Sequence, residues 1–198
     1  FTMLELYRAE TDYHGIMEDL EALVSSCARV LDDEAVPRAR YREAELDFMP
    51  PFDRITVADA FTSRAGIDLA ACDGDAGKLR AVAVARGYDV GPAGAPFDDV
   101  FFRIFLKANE PGLGWPRPIY VTDWPASMAA LARLKPDDQR WAERFELYVG
   151  GVELANGFSE LNDAAEQRRR LIDEQSLRRK LGRVVPPLDE AFLAAVGR

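Results

Sequence analysis

One histidine, His14, and two cysteines, Cys27 and Cys72, are all that the sequence offers of the residues on which most nucleophilic and zinc chemistry depends. A Ser-His-Asp triad, a Cys-His pair or a zinc site would have to rest on His14 alone, so those chemistries are set aside. The cysteines have no metal or redox spacing, which reads as free thiols in a reducing compartment and hence a cytoplasmic protein. Long apolar runs are also missing. None approaches the roughly 20 residues that cross a bilayer, and no signal-peptide pattern is present, so no membrane partner is expected. Basic residues are in deficit, 25 Lys and Arg against 34 Asp and Glu, for a formal net charge of -9. Non-specific nucleic-acid affinity rests on clustered cations, so this balance counts against RNA as the main partner. An initiating Met is missing too, and the expectation is part of a longer protein.

What is present is a chain of 198 residues, 48% hydrophobic, enough for one domain with a substantial core and no visible linker or repeat. Its most informative stretch is residues 144–163, where two β-prone runs flank Gly150-Gly151. A Gly-Gly pair supplies the positive φ angles of a two-residue hairpin turn. The turn then sets the register: Val149 opposite Val152, Tyr148 opposite Glu153, Leu147 opposite Leu154 and Glu146 opposite Ala155. Phe145, Leu147, Val149, Val152 and Leu154 are expected on one face, and Glu146, Tyr148, Glu153 and Ala155 on the other. Two carboxylates as diagonal neighbours destabilise a sheet unless a cation, a proton or a basic group neutralises them. Oxygen-only ligation suits Mg²⁺. The alternative is the solvent-washed polar face of an ordinary hairpin.

The other elements follow from periodicity. Residues 1–8 alternate as a strand does, with Glu5 and Tyr7 on one face. Ile16, Leu20, Leu23, Val24, Cys27 and Leu31 form the stripe of an amphipathic helix, and residues 32–49 read as a loop with at most a short strand near 44–48. Thr56 is positioned to cap a helix over 57–64 that Gly66 ends. Further helices are expected at 75–86 and at 97–109, the latter with a broad aromatic stripe, followed by a short strand at 118–123. Ser127 has no base partner in the sequence and reads as a helix-capping serine. Asp163 opens a helix to about residue 181 whose arginines alternate with acids, a solvated face or else a docking surface for an acidic protein or tRNA, and residues 188–196 form a last helix.

Arg144-Phe145-Glu146, followed by residues 153–163, resembles the corresponding block of class II lysyl-tRNA synthetases and of their relatives, the elongation factor P lysine ligases. Phe1-Thr2-Met3-Leu4-Glu5-Leu6-Tyr7-Arg8 resembles the strand closing motif 2 of that superfamily, and the two blocks stand in the same order. The resemblance implies an α+β fold, an antiparallel β-sheet flanked by helices, as part of a class II catalytic domain. It implies activation of a lysine-type amino acid by ATP, with Glu146 and Glu153 holding ATP-bound Mg²⁺ and Glu153 and Leu154 bordering the nucleotide. Tyr7, Asn156, Phe158 and Glu160 would line the lysine pocket, Glu160 pairing with the substrate's amino group. Motif 1, most of motif 2 and motif 3 are not in these residues, so the chain alone is expected to be inactive and the full-length protein a homodimer. Residues 124–132, with Met128 and Ala129 where synthetases carry Ser-Pro, and residues 178–187 are similar to the ligases; Ser159 follows the synthetase habit. The expected activity is therefore transfer of lysine or (R)-β-lysine to a lysine side chain of elongation factor P. Charging of tRNA by a lysyl-tRNA synthetase is the alternative, and a non-catalytic amino-acid-binding paralogue the second.

Overall fold

A computed structural model describes residues 2–32, 36–129 and 131–196. Phe1, the start of the expected loop at 33–35 and Ala130 of the 124–132 stretch lie outside the described residues. The chain divides into two compact units, Phe1–Ser159 and Glu160–Arg198. The first contains α1 (Tyr13–Asp32), β1 (Arg38–Tyr41), β2 (Ala44–Asp47), β3 (Asp53–Thr56), α2 (Val57–Ala60), α3 (Ala76–Ala85), α4 (Phe97–Ala108), β4 (Ile119–Pro125), β5 (Trp141–Val149) and β6 (Val152–Phe158). The second contains α5 (Ala164–Lys180) and α6 (Glu190–Val196). Helices and sheets interspersed in this way are the expected α+β class.

The main sheet has the order β3-β4-β5-β6. It is antiparallel from β4 to β6, while β3 runs parallel to β4. Its two faces bury different cores. On one, Tyr120, Phe145 and Leu147 pack with Tyr13 and Met17 of α1 and with Leu46, Phe48 and Phe52. On the other, Val121, Trp124 and Tyr148 meet Phe61 and the Phe97, Phe101 and Phe105 stripe of α4, with the Phe61 and Phe101 rings 4.8 Å apart. The Thr56 cap is the one the sequence announces, and Asp75 and Asp163, where helices were expected to begin, are caps as well. Thr56 accepts from Asp59 N at 3.0 Å, Asp75 from Lys78 N at 2.9 Å and Asp163 from Ala165 N at 2.8 Å, each satisfying an amide that the helix leaves unpaired.

Several expectations are corrected. Among residues 2–12 no strand forms: Met3, Leu4 and Tyr7 are exposed, and an alternating pattern becomes a strand only beside a neighbour that takes its hydrogen bonds. On α1 the buried line runs through Tyr13, Met17, Glu21, Ser25 and Ala28, while Leu23 and Cys27 face outward. Counting apolar residues misses this, because Ser25 is buried by donating to Phe48 O (2.8 Å) and Glu21 by pairing with Arg54. The segment read as a loop holds the hairpin β1-β2. The helix expected over 57–64 is α2 continued by a π-helical turn, Phe61–Ala65, which Gly66 closes at φ 68. Ser127 lies inside a 3₁₀ turn, Ala126–Met128, rather than at its cap.

In the second unit four arginines are paired with acids. Arg169 pairs with Glu166 and Asp173, Arg170 with Glu166, Arg178 with Glu174, and Arg168 with Glu190 of α6. Pairs of this kind at exposed helix positions suit a solvated face.

Candidate functional site

The β5-β6 hairpin turns at Gly150-Gly151 with φ of 59 and 76. Val149 faces Val152 and Tyr148 faces Glu153, as the turn dictates. Beyond that pair the register slips. Leu147 faces Ala155, Glu146 faces Asn156, Phe145 faces Gly157 and Arg144 faces Phe158. A bulge in β6 leaves Leu154 as the extra residue, 54% exposed and off the apolar face to which the two-residue period assigned it. Ala155 moves to the core face instead. In this register Gly157 lies opposite Phe145, and a Cβ there would lie 2.6 Å from Cζ of Phe145, so the buried Phe145 ring takes the space a side chain would need.

The bulge decides which residues share the polar face. Alternation from Glu153 would continue to Ala155 and Gly157; after the slip it continues to Asn156 and Phe158. The structure thus brings Glu146, Glu153, Asn156 and Phe158 to one face, together with Arg144 and Tyr148. A second irregularity, in β4 between Thr122 and Trp124, turns Trp124 onto the same face. Asp123 occupies that bulge at φ 60, a conformation Asp tolerates, and accepts from Tyr13 Oη (2.8 Å) and Lys135 Nζ (2.7 Å).

Glu146, 5% exposed, is held at both oxygens. Arg144 Nη2 donates to Oε1 at 2.8 Å and Tyr148 Oη to Oε2 at 2.6 Å. Arg144 Nη1 donates to Met128 O at 2.8 Å, and its guanidinium lies over the Trp124 ring, 4.8 Å from the centroid. Burial pushes the Glu146 carboxyl up to about 7; the Tyr148 hydrogen bond and Arg144 oppose that, and the charges of Glu153 and Glu110 add to it. Burial also raises Glu153, which Glu110 raises further and Arg144 lowers. Glu110 comes from a separate 3₁₀ turn, Glu110–Gly112. That loop is fastened to the hairpin tip by Gly150 N to Gly114 O and Gly151 N to Leu113 O, both 2.8 Å.

The other candidates differ in their surroundings, and Tyr7 and Glu160 are not on this face. Phe158 packs on Ala129, Ala132 and Ala142, and Asn156 is exposed. Tyr7, 75% exposed, lies in the segment without strand pairing, where its hydroxyl donates to Glu5 Oε1 at 2.8 Å. Glu160 opens the second unit. Sequence reasoning assigned no role to Arg144, Tyr148, Trp124 or Glu110. Strand alternation through Glu146 was enough to find the first two; Trp124 needed the β4 bulge, and Glu110 the loop contact.

Whether the face suits a divalent cation is decided by its donors. One buried carboxylate, Glu146, beside an exposed one, Glu153, each oxygen keeping a second lone pair, fits an oxygen-ligated cation such as Mg²⁺. Glu146 and Glu153 are the residues that would hold it. Among the described residues no group of three His, Cys, Asp or Glu is placed to hold a metal, so further ligands would be water or substrate oxygens.

Comparison with known proteins gives these observations a setting. The family model for tRNA synthetases class II (D, K and N) matches residues 1–196. An elongation factor P--(R)-beta-lysine ligase of Proteus mirabilis is 36% identical over 197 residues, 99% of this chain and 54% of the relative. Its counterpart in Sodalis glossinidius is 34% identical over 201 residues, 100% of this chain and 55% of the relative. A lysine--tRNA ligase of Dehalococcoides mccartyi is 37% identical over 198 residues, 99% of this chain and 38% of the relative. The chain therefore spans about half the length of the first two and less of the third. No helix of the described residues is long and apolar enough to cross a membrane.

Proposed function

We propose, from the premise that this chain belongs to the class II tRNA synthetases (D, K and N), that it forms part of a lysine-activating ligase whose acceptor is a lysine side chain of elongation factor P. The observation that carries the reading is the shared face of Arg144, Glu146, Tyr148, Glu153, Asn156 and Phe158. The reaction would begin with attack of the amino-acid carboxylate on the α-phosphorus of ATP, forming the aminoacyl adenylate and releasing pyrophosphate. The acceptor amine then attacks the acyl carbon, an amide forms, AMP leaves and the amine's proton passes to solvent. Mg²⁺ supplies charge that offsets the phosphates. In this assignment Glu146 and Glu153 hold the cation, Glu153 with Leu154 borders the nucleotide, Tyr7, Asn156 and Phe158 contact the amino acid, and Glu160 takes its side-chain amino group.

Residues 124–132, similar to the ligases, favour the protein acceptor. Lysyl-tRNA synthetase is the second reading, supported by the identity to the Dehalococcoides relative, which equals that to the ligases within a few per cent. The two are separated by mass spectrometry of unmodified elongation factor P after incubation with the full-length protein, ATP, Mg²⁺ and either L-lysine or (R)-β-lysine. A gain of one lysyl unit is expected and names the preferred isomer. Charging of tRNA with no gain would replace this reading by the synthetase. The Glu160 assignment has its own test. If Glu160 pairs with the substrate's amino group, Glu160→Ala should slow lysine-dependent pyrophosphate exchange at least a hundredfold; near-normal exchange would sink the assignment.

A further inference from the structure

Arg144 is anchored on three sides: to the Glu146 carboxylate, to the Met128 carbonyl and, through its π-face, to Trp124. Its side chain is 19% exposed and that of Glu146 6%. A planar guanidinium makes these contacts together because its donors diverge in one plane while its face stays free to stack. The other two anchors are fixed independently of Glu146. Met128 O belongs to the Ala126–Met128 turn, and the fully buried Trp124 is set by the β4 bulge and by its own Nε1 donating to Val121 O at 3.1 Å. The guanidinium therefore cannot follow the carboxylate; the carboxylate must come to it.

The geometry points to Arg144 as a positioning residue that sets the orientation in which Glu146 meets a divalent cation. This rests on the reading of Glu146 and Glu153 as the cation's ligands. Charge alone makes the opposite claim: a cation beside two carboxylates competes with a divalent ion, so its removal should tighten binding. The sign of the effect therefore separates orientation from charge. Lysine in place of Arg144 keeps the charge but not the fork or the stacking face, and its point-like ammonium does not span Met128 O, Glu146 and the indole together.

Mn²⁺, followed by electron paramagnetic resonance as a probe for Mg²⁺, tests this on the full-length protein with a non-hydrolysable ATP analogue present. Arg144→Lys should weaken Mn²⁺ binding about tenfold, with a melting temperature close to the parent's. In Arg144→Ala binding should be weaker still and should recover in part when guanidinium ion is added at non-denaturing concentration. If Arg144→Lys binds Mn²⁺ as the parent does, or Arg144→Ala binds it more tightly, the positioning role is overturned while the cation site stands. If the parent itself binds no Mn²⁺, the assignment of Glu146 and Glu153 fails and this inference falls with it. Should Arg144→Ala not fold, Arg144→Lys decides.

Discussion

Glu146 carries a carboxyl that burial raises from 4.5 to about 7, and the direction has consequences at neutral pH. A carboxyl whose pKa is higher in the folded state than in the unfolded one binds its proton more tightly when folded. Between about pH 4.5 and 7 the folded state thus holds more proton at this site, and its contribution to stability declines as pH rises through that window. Cation binding runs the other way, since a divalent ion needs the ionised form; affinity should increase from pH 6 towards pH 8 with release of protons. Tyr148 donates to this carboxylate at 2.6 Å and so lowers its pKa. Tyr148→Phe should therefore raise the Glu146 value, measured by carbon-detected NMR titration; an unchanged or lower value would contradict the hydrogen bond's role. Of this chemistry the pairing of Arg144, Glu146 and Tyr148 was readable, because residues two apart on a strand share a face. Burial was not readable, since it depends on other elements, β4 among them, whose Val121 pairs opposite Glu146.

The hairpin was legible for as long as its register stayed local. Gly150-Gly151 set the turn and the first two pairs; the departure begins at Leu147, and the shifted register is the one that sets Gly157 opposite the Phe145 ring. Two-residue alternation has no term for such a fit, so the bulge at Leu154, and with it the arrival of Asn156 and Phe158 on the site face, escaped it. The tip depends on a second glycine. Gly114 has φ +72, and a Cβ there would lie 2.5 Å from Tyr148 O, where backbone cannot give way cheaply. Gly114→Ala should cost at least about 1–3 kcal/mol in urea unfolding, from the left-handed backbone and the clash together. Because the 110–114 loop carries Glu110, cation affinity should change in the same variant. A variant as stable as the parent would refute the close approach.

Across the whole molecule, protection should follow strand pairing rather than apolar content. β4 and β5 are hydrogen-bonded on both sides and bury Tyr120, Val121, Phe145 and Leu147, whereas residues 2–12 belong to no strand despite Met3, Leu4 and Leu6. Hydrogen exchange should show the central β4 and β5 amides slowed by several orders of magnitude and those of residues 2–8 exchanging nearly as free peptide. Comparable protection in both would mean that the N-terminal segment is paired. What the sequence determined by itself was what short-range chemistry specifies: the glycine turn, the Thr56 cap, the helix starts near Asp75 and Asp163, the α4 stripe, and a family block specific enough to place the chain among class II synthetases. Tertiary structure alone decided which face of α1 is buried, that residues 38–47 pair, and that two bulges turn Trp124, Asn156 and Phe158 towards Glu146. These depend on partners distant in sequence, and a pattern read along the chain has no access to how a ring, a carbonyl or a second strand fills the space across from it.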